Sequence, residues 1–334
     1  MSTSLNPYVR VDGKVFGKVV DENGQDYTFR EDWRCTAFAD ANHPRIPKKD
    51  ENYVFSISFL QDILSFLFFP NHTALWLTGP TGCGKTSGIL QVASRLNWPV
   101  IDVTLNNRFE FADLRGQWGM TQEQGESQPT MKYLHNALAQ AMREGYILIL
   151  NEVDLASPGE LSALNDVIEG RNLLISENQG EQIKPHPMFR LVVTGNSNGS
   201  GDDSGLYQGI QQQNVAAMDR YRIVHVDYPS ISIEKQILSQ IAPSVPEEIR
   251  EQMCSFAQHM REIFVENTDD FSKSISVPFS TRTLVNWATN LPYYTFAPSP
   301  LKKVLELFFL GKLSKGEKEI ANNMGSVIFG EAWK

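Results

Sequence analysis

Between residues 74 and 228, short apolar runs alternate with longer stretches whose apolar positions recur at helical spacing. The runs suit buried strands, and the longer stretches suit helices that cover them. Strands are expected at residues 74–78, 100–104, 146–150, 189–194 and 223–227. Apolar side chains at Phe55, Ile57, Leu60, Ile63, Leu64 and Leu67 predict a helix over 55–68, and a second helix is expected over 87–96. Such alternation makes a mostly parallel sheet with helices on both faces, an α/β fold of three layers, αβα. Ligands of these folds sit at the carboxyl ends of the strands.

The flanks follow other patterns. Residues 1–50 are polar, with strand-like pieces at 15–20 and 27–29, and 43–50 reads as a linker. Beyond 229 no strand pattern is present. Ile249, Met253, Phe256, Met260 and Ile263 fall on one helical face, and Leu301, Val304, Leu305 and Phe308 begin another amphipathic helix. The expected division is an N-terminal extension (1–50), an α/β domain (51–228) and a small helical lid domain (229–334).

Residues 79–86 read Gly-Pro-Thr-Gly-Cys-Gly-Lys-Thr, between an expected strand and an expected helix. This is the order of a phosphate-binding loop. Gly79, Gly82 and Gly84 let the backbone curl its N–H groups toward a phosphate. Pro80, Thr81 and Cys83 complete the loop. Ser87 follows at the helix start, where the dipole and free N–H groups favour an anion. Lys85 reaches β- and γ-phosphates, and Thr86 offers its hydroxyl to Mg²⁺. A chance Gly-rich turn would not fill every fixed position in this context. A nucleoside triphosphate is the expected ligand.

The apolar run 146–150 ends in Asn151-Glu152, where a nucleotide-hydrolysing strand usually ends Asp-Glu. That aspartate accepts hydrogen bonds from water on Mg²⁺. Asn151 can accept through its carbonyl but brings no charge, so nearby Asp154 is a candidate source of that charge. Glu152 is the candidate to polarise an attacking water, the alternative being a solvated loop acid. Asn196, at the end of the next strand, could orient that water, although asparagine there is also a common turn former. Arg220, in Met-Asp-Arg-Tyr-Arg, is a candidate arginine finger, weighed against a surface ion pair with Asp219. Arg282 falls in the first turn of a helix that Ser280 could cap. A cation is disfavoured there by the helix dipole, which suits an arginine facing phosphate better than one reaching solvent. If Arg220 acts in trans, a ring is the natural closed assembly.

Composition narrows the partners. The 334-residue chain has 30 basic and 39 acidic side chains, a net charge of −9. That weighs against a protein coating nucleic acid or anionic membrane. Three scattered cysteines form neither a disulfide framework nor a zinc spacing, and six histidines show no metal-ligand spacing. No apolar run reaches membrane-spanning length and the first residues carry no signal core, so a cytoplasmic location is expected.

The phosphate loop, Leu150-Asn-Glu-Val-Asp154, Thr194-Gly-Asn196, Met218-Asp-Arg220 and Ser280-Thr-Arg282 together resemble an AAA+ ATPase of the MoxR group. Residues 116–133 resemble that group's helix-2 insert, and 171–190 its hairpin before sensor 1. Residues 183–190, 201–209 and 329–331 are also similar to the small ATPase subunits of aerobic cobaltochelatases. The resemblance implies ATP and Mg²⁺, a hexameric ring, a partner bearing a von Willebrand factor A domain, and inserts that touch a remodelled client. It names no client. Asn151 departs from the family's aspartate. A nucleic-acid motor and an ATP-binding scaffold with little hydrolysis are the alternatives.

Overall fold

The computed structural model describes residues 8–122, 128–201, 209–265 and 275–333. Part of the helix-2 insert (123–127) and most of the 201–209 run lie outside the described residues.

Five parallel strands form the central sheet: β1 (Ala74–Thr78), β2 (Val100–Thr104), β3 (Ile147–Asn151), β4 (Arg190–Gly195) and β5 (Tyr221–His225), in the order β5-β1-β4-β3-β2. The three inner strands β1, β4 and β3 are largely apolar on both faces because both faces are covered. Trp76, Leu148, Leu150 and Val193 point into one cluster, with side chains from residues 105–175. Leu75, Leu77, Ile147, Ile149 and Val192 point into the other. The second cluster is closed by helices α1 (Ile57–Phe68) and α2 (Lys85–Arg95). Three strands are displaced by one or two residues from their expected positions, and α2 begins at Lys85 itself, directly after the glycine turn.

The N-terminal segment is packed onto this layer. Tyr8–Asp12 pairs antiparallel with Arg34–Phe38, a hairpin that the polar sequence did not suggest. Phe16, Val19 and Phe38 share the cluster of α1 and α2. The expected strand at 27–29 is absent, because Phe29 instead turns inward to pack on Trp33 at 4.6 Å between centroids. Arg95, 4% exposed, holds the segment by donating to the carbonyls of Phe16 (3.2 Å) and Asp50 (2.7 Å). The stretch read as a linker is likewise held, since Val100 N–H donates to the Arg45 carbonyl at 2.9 Å.

Helix α3 (Ala137–Glu144) precedes β3. Between the short helix Ala112–Arg115 and α3 stands an antiparallel hairpin, Gly116–Thr121 with Thr130–His135. A second hairpin, Leu173–Ile175 with Glu181–Ile183, precedes β4. The first starts at the expected residue 116 and runs to His135, past the expected end at 133, and the second lies inside 171–190. They are tied together: Arg115 bonds Glu177 at 2.9 Å, Trp118 Nε1 donates to the Glu177 carbonyl at 3.1 Å, and His135 meets Glu181 at 2.7 Å.

The C-terminal region is helical: α4 (Ile231–Ile241), α5 (Glu247–Val265), α6 (Thr281–Asn290), α7 (Pro300–Phe308) and α8 (Lys315–Phe329). Its own cluster contains Met253, Phe256, Met260, Val304 and Leu305, from the stripes anticipated from helical spacing, together with Trp287. Glu234, fully buried, takes a two-pronged bond from Arg261 (2.7 and 3.0 Å) and one from Thr281 Oγ1 (2.8 Å). This pins α4, α5 and the start of α6 to one another. No helix among the described residues is long and apolar enough to cross a membrane.

Candidate functional site

Residues 79–87 wrap the carboxyl end of β1, and their three glycines, all at positive φ, cannot be replaced without strain. A Cβ on Gly79 (φ 145°) would fall 2.0 Å from the Val226 carbonyl oxygen. One on Gly82 (φ 71°) would fall 2.7 Å from the Ser280 Cβ. The second contact presses the helical region onto the loop. Arg282 N–H donates to the Gly82 carbonyl at 3.3 Å, and Tyr228 donates to the Thr81 carbonyl at 2.9 Å. Ser280 caps α6 by accepting from Thr283 N–H at 3.1 Å.

A cavity of about 250 Å³ opens at the strand ends. It is lined by Thr81 to Ser87, Thr104, Asn151, Glu152, Thr194 to Asn196 and Arg282. Five separated segments therefore converge on one concave surface. Lys85 Nζ lies across it, donating to the carbonyls of Gly79 (2.6 Å) and Pro80 (2.9 Å) and to Asn196 Oδ1 (3.2 Å). Burial lowers the Lys85 pKa from its ordinary value. Cys83 is 7% exposed, and burial pushes its thiol up, which disfavours thiolate chemistry inside the loop.

Glu152 sits in the left-handed region, at φ 58° and ψ 39°. A glutamate held there costs about 1–3 kcal/mol, a strain typical of functional positions. Here it turns an exposed carboxylate into the cavity. Asp154 is placed differently. It is 1% exposed, and its Oδ2 accepts from the N–H groups of Asn196 (2.6 Å) and Ser197 (3.1 Å). It fixes the loop that carries Asn196, and it does not line the cavity.

Asn151 Oδ1 accepts from Thr86 Oγ1 at 2.7 Å and from Thr194 Oγ1 at 3.0 Å. Its Nδ2 donates to Asp102. Asp102 and Thr104 escaped the sequence reading as site residues, and Thr194 entered it only as part of the Thr194-Gly-Asn196 run. The available signal was an acid inside the otherwise apolar run Val-Ile-Asp-Val-Thr. Because the Thr86 hydroxyl hydrogen goes to Asn151, the Thr86 oxygen keeps lone pairs of the kind that Mg²⁺ requires.

Arg220 is not brought to this cavity within one chain. It pairs with Glu169 through Nε at 2.7 Å and bonds the Ala216 carbonyl at 2.8 Å. Its partner is Glu169 and not the adjacent Asp219.

Beside the phosphate end lies a larger space of about 570 Å³. Its walls include Tyr53, Val54, Phe59, Ile233, Ile237 and Val285, and it shares Gly82 to Gly84, Ser87 and Arg282 with the smaller cavity. The two spaces therefore border the same loop.

The family description "AAA domain (dynein-related subfamily)" matches residues 74–212, and "CbbQ/NirQ/NorQ C-terminal" matches residues 234–292. The aerobic cobaltochelatase subunit CobS of Sinorhizobium sp. is 31% identical over 250 residues, covering 73% of this chain and 72% of that protein. The chain belongs to the MoxR group of AAA+ ATPases. An uncharacterized protein of Staphylococcus haemolyticus, SH1500, is 30% identical to this MoxR-group chain over 55% of its length and 67% of the relative's. Among solved structures, a RuvB mutant of Thermotoga maritima aligns with a TM-score of 0.48 at 14% identity, covering 78% of this chain and 72% of that one.

Proposed function

We propose that this chain binds ATP across the two spaces and hydrolyses it, completing its site with Arg220 from a neighbouring subunit of a ring. The observation that carries the reading is the convergence of Lys85, Thr86, Asn151, Glu152, Asn196 and Arg282 on one cavity. The triphosphate would displace Lys85 from the loop carbonyls, exchanging neutral acceptors for anionic ones. Thr86 would hold Mg²⁺, with Asn151 behind it accepting the Thr86 hydroxyl hydrogen, and the ion when bound would draw charge off the phosphate oxygens. Glu152 would polarise a water that Asn196 orients. The nucleobase would rest against the apolar walls of the larger space.

Arg282 faces the cavity from α6, so the helical region would sense the γ-phosphate directly and act as the lid of the α/β domain. Arg220 lies apart from its own chain's cavity and already has its guanidinium oriented by Glu169, as a residue presented to a neighbour requires. The joined hairpins, with Trp118, Met120 and Met131 exposed, form the surface that would transmit lid motion to a client. A von Willebrand factor A protein is the adaptor this family membership suggests. A nucleic-acid target is disfavoured by the net charge of −9.

Mixing two inactive variants tests both parts. Lys85→Ala and Arg220→Ala should each lose turnover. If Arg220 acts in trans, a mixture of the two regains a measurable fraction, because some interfaces pair an intact loop with an intact Arg220. A mixture as inactive as its components would contradict the shared site.

A further inference from the structure

One acid beside the phosphate cavity has no role in the scheme above. Asn151 occupies the strand end where nucleotide-hydrolysing relatives are expected to carry aspartate, and its amide oxygen is fully committed. Two hydroxyls, from Thr86 and Thr194, donate to its Oδ1 at 2.7 and 3.0 Å, using both lone pairs. Its Nδ2 can only donate, and it donates to the Asp102 carboxylate. The opposite amide orientation would set oxygen against a carboxylate, so the network fixes which way Asn151 faces. Asn151 therefore brings neither negative charge nor a spare acceptor to a cation held by Thr86.

Asp102 brings both. It lies on β2, two residues before Thr104, whose register partner on β3 is Asn151 itself. Alternation along the strand puts residues 102 and 104 on one face, and Thr104 lines the cavity. Among the described residues Asn151 is its hydrogen-bond donor, and the carboxylate is otherwise exposed. An acid within an apolar strand has no packing reason to be there. Asp154, the nearer acid in sequence, is buried and used by the amides of Asn196 and Ser197.

We propose that Asp102 supplies the negative charge of the Mg²⁺ site, acting as a positioning residue through the Asn151 amide. The carboxylate polarises that amide, strengthening Oδ1 as acceptor of the Thr86 hydroxyl hydrogen and leaving the Thr86 lone pairs to the cation. The usual aspartate is thus divided into a neutral amide in contact with Thr86 and a carboxylate one hydrogen bond behind it. The inference rests on the ATP reading of the cavity.

The test uses the full chain, a non-hydrolysable ATP analogue and Mn²⁺ as probe, with bound Mn²⁺ followed by electron paramagnetic resonance. Outer-shell partners of metal ligands carry about 10–100-fold in metal affinity, so Asp102→Asn should weaken Mn²⁺ binding about tenfold. Affinity for the analogue in EDTA should stay unchanged, which a merely structural role would not predict. Moving the charge inward, with Asn151→Asp added to Asp102→Asn, should restore Mn²⁺ affinity. Unchanged Mn²⁺ affinity in Asp102→Asn, or no recovery in the folded double variant, overturns the proposal. Failure of the wild-type chain to bind the analogue in EDTA overturns the ATP reading instead, and this inference with it.

Discussion

The two ends of the cleft are built from opposite materials. The phosphate end, about 250 Å³, is lined by loop backbone, a lysine, an arginine, two threonines from the sheet and the Asn151–Glu152 pair. It holds backbone that ordinary residues avoid, at Gly79, Gly82 and Glu152. The base end, about 570 Å³, carries apolar and aromatic side chains such as Val54, Phe59, Ile233 and Val285, with acids such as Asp62 and Asp227 also in its walls. Strain and unmatched polar groups gather where bonds would be broken. Apolar area gathers where binding alone is needed, because its stabilisation is non-directional and does not distinguish ground state from transition state.

Breaking the buried pair that ties α4, α5 and α6 together beside both ends should have the largest effect on the protein. Glu234→Ala would leave Arg261 buried without its carboxylate, an uncompensated charge that costs about 3–5 kcal/mol. Denaturant unfolding should show that loss, and Arg282 should lose its place with it. Lys85→Ala acts on the phosphate end alone. It should lower turnover on the order of 10²–10³-fold with little change in unfolding midpoint, since the ammonium's partners, the Gly79 and Pro80 carbonyls and the Asn196 amide oxygen, are all uncharged. Ile237→Ala acts on the base end alone. It should weaken ATP binding by roughly tenfold, through lost apolar area, while saturated turnover stays near wild type. A fall in saturated turnover for Ile237→Ala would erase the division between the ends.

Glu317 provides a control, because it lines neither space. Burial raises its carboxyl, but hydrogen bonds from Ser276 and Ser314 outweigh this and hold it at about 2, against an ordinary 4.5. A carboxyl depressed by folding stabilises the fold above its unfolded pKa and loses that contribution as pH falls toward its folded one. Unfolding stability should therefore drop between pH 4.5 and 2 by about 1–2 kcal/mol more in wild type than in Glu317→Gln, after discounting for partial exposure.

The contrast also explains what the sequence could disclose. The phosphate loop is contiguous, and each position needs a particular residue type, so residues 79–87 announced it. Glu152, Asn196 and Arg282 were legible because each follows a strand end or opens a helix at a place where the loop's neighbours must be. The base end was not legible. It is assembled from segments near 53, 224–230, 233–241 and 285 whose Val, Ile and Phe are indistinguishable from ordinary core. Asp102 was hidden for a different reason: its meaning depends on the register that sets Thr104 beside Asn151, and register is not written in either strand alone. Asp154 stood close in sequence to the charge-deficient Asn151, yet a single turn aims it at the amides of Asn196 and Ser197. The N-terminal hairpin escaped because Tyr8–Asp12 and Arg34–Phe38 pair across a separation that local patterning does not span.

The most direct measurement compares binding and turnover of ATP in Glu152→Gln. The substituted amide would keep the size of the strained side chain and remove its charge, leaving Lys85 and the loop untouched. The prediction is ATP affinity close to wild type with turnover reduced at least about a hundredfold. Undiminished turnover would place the attacking water elsewhere and contradict the account of the phosphate end.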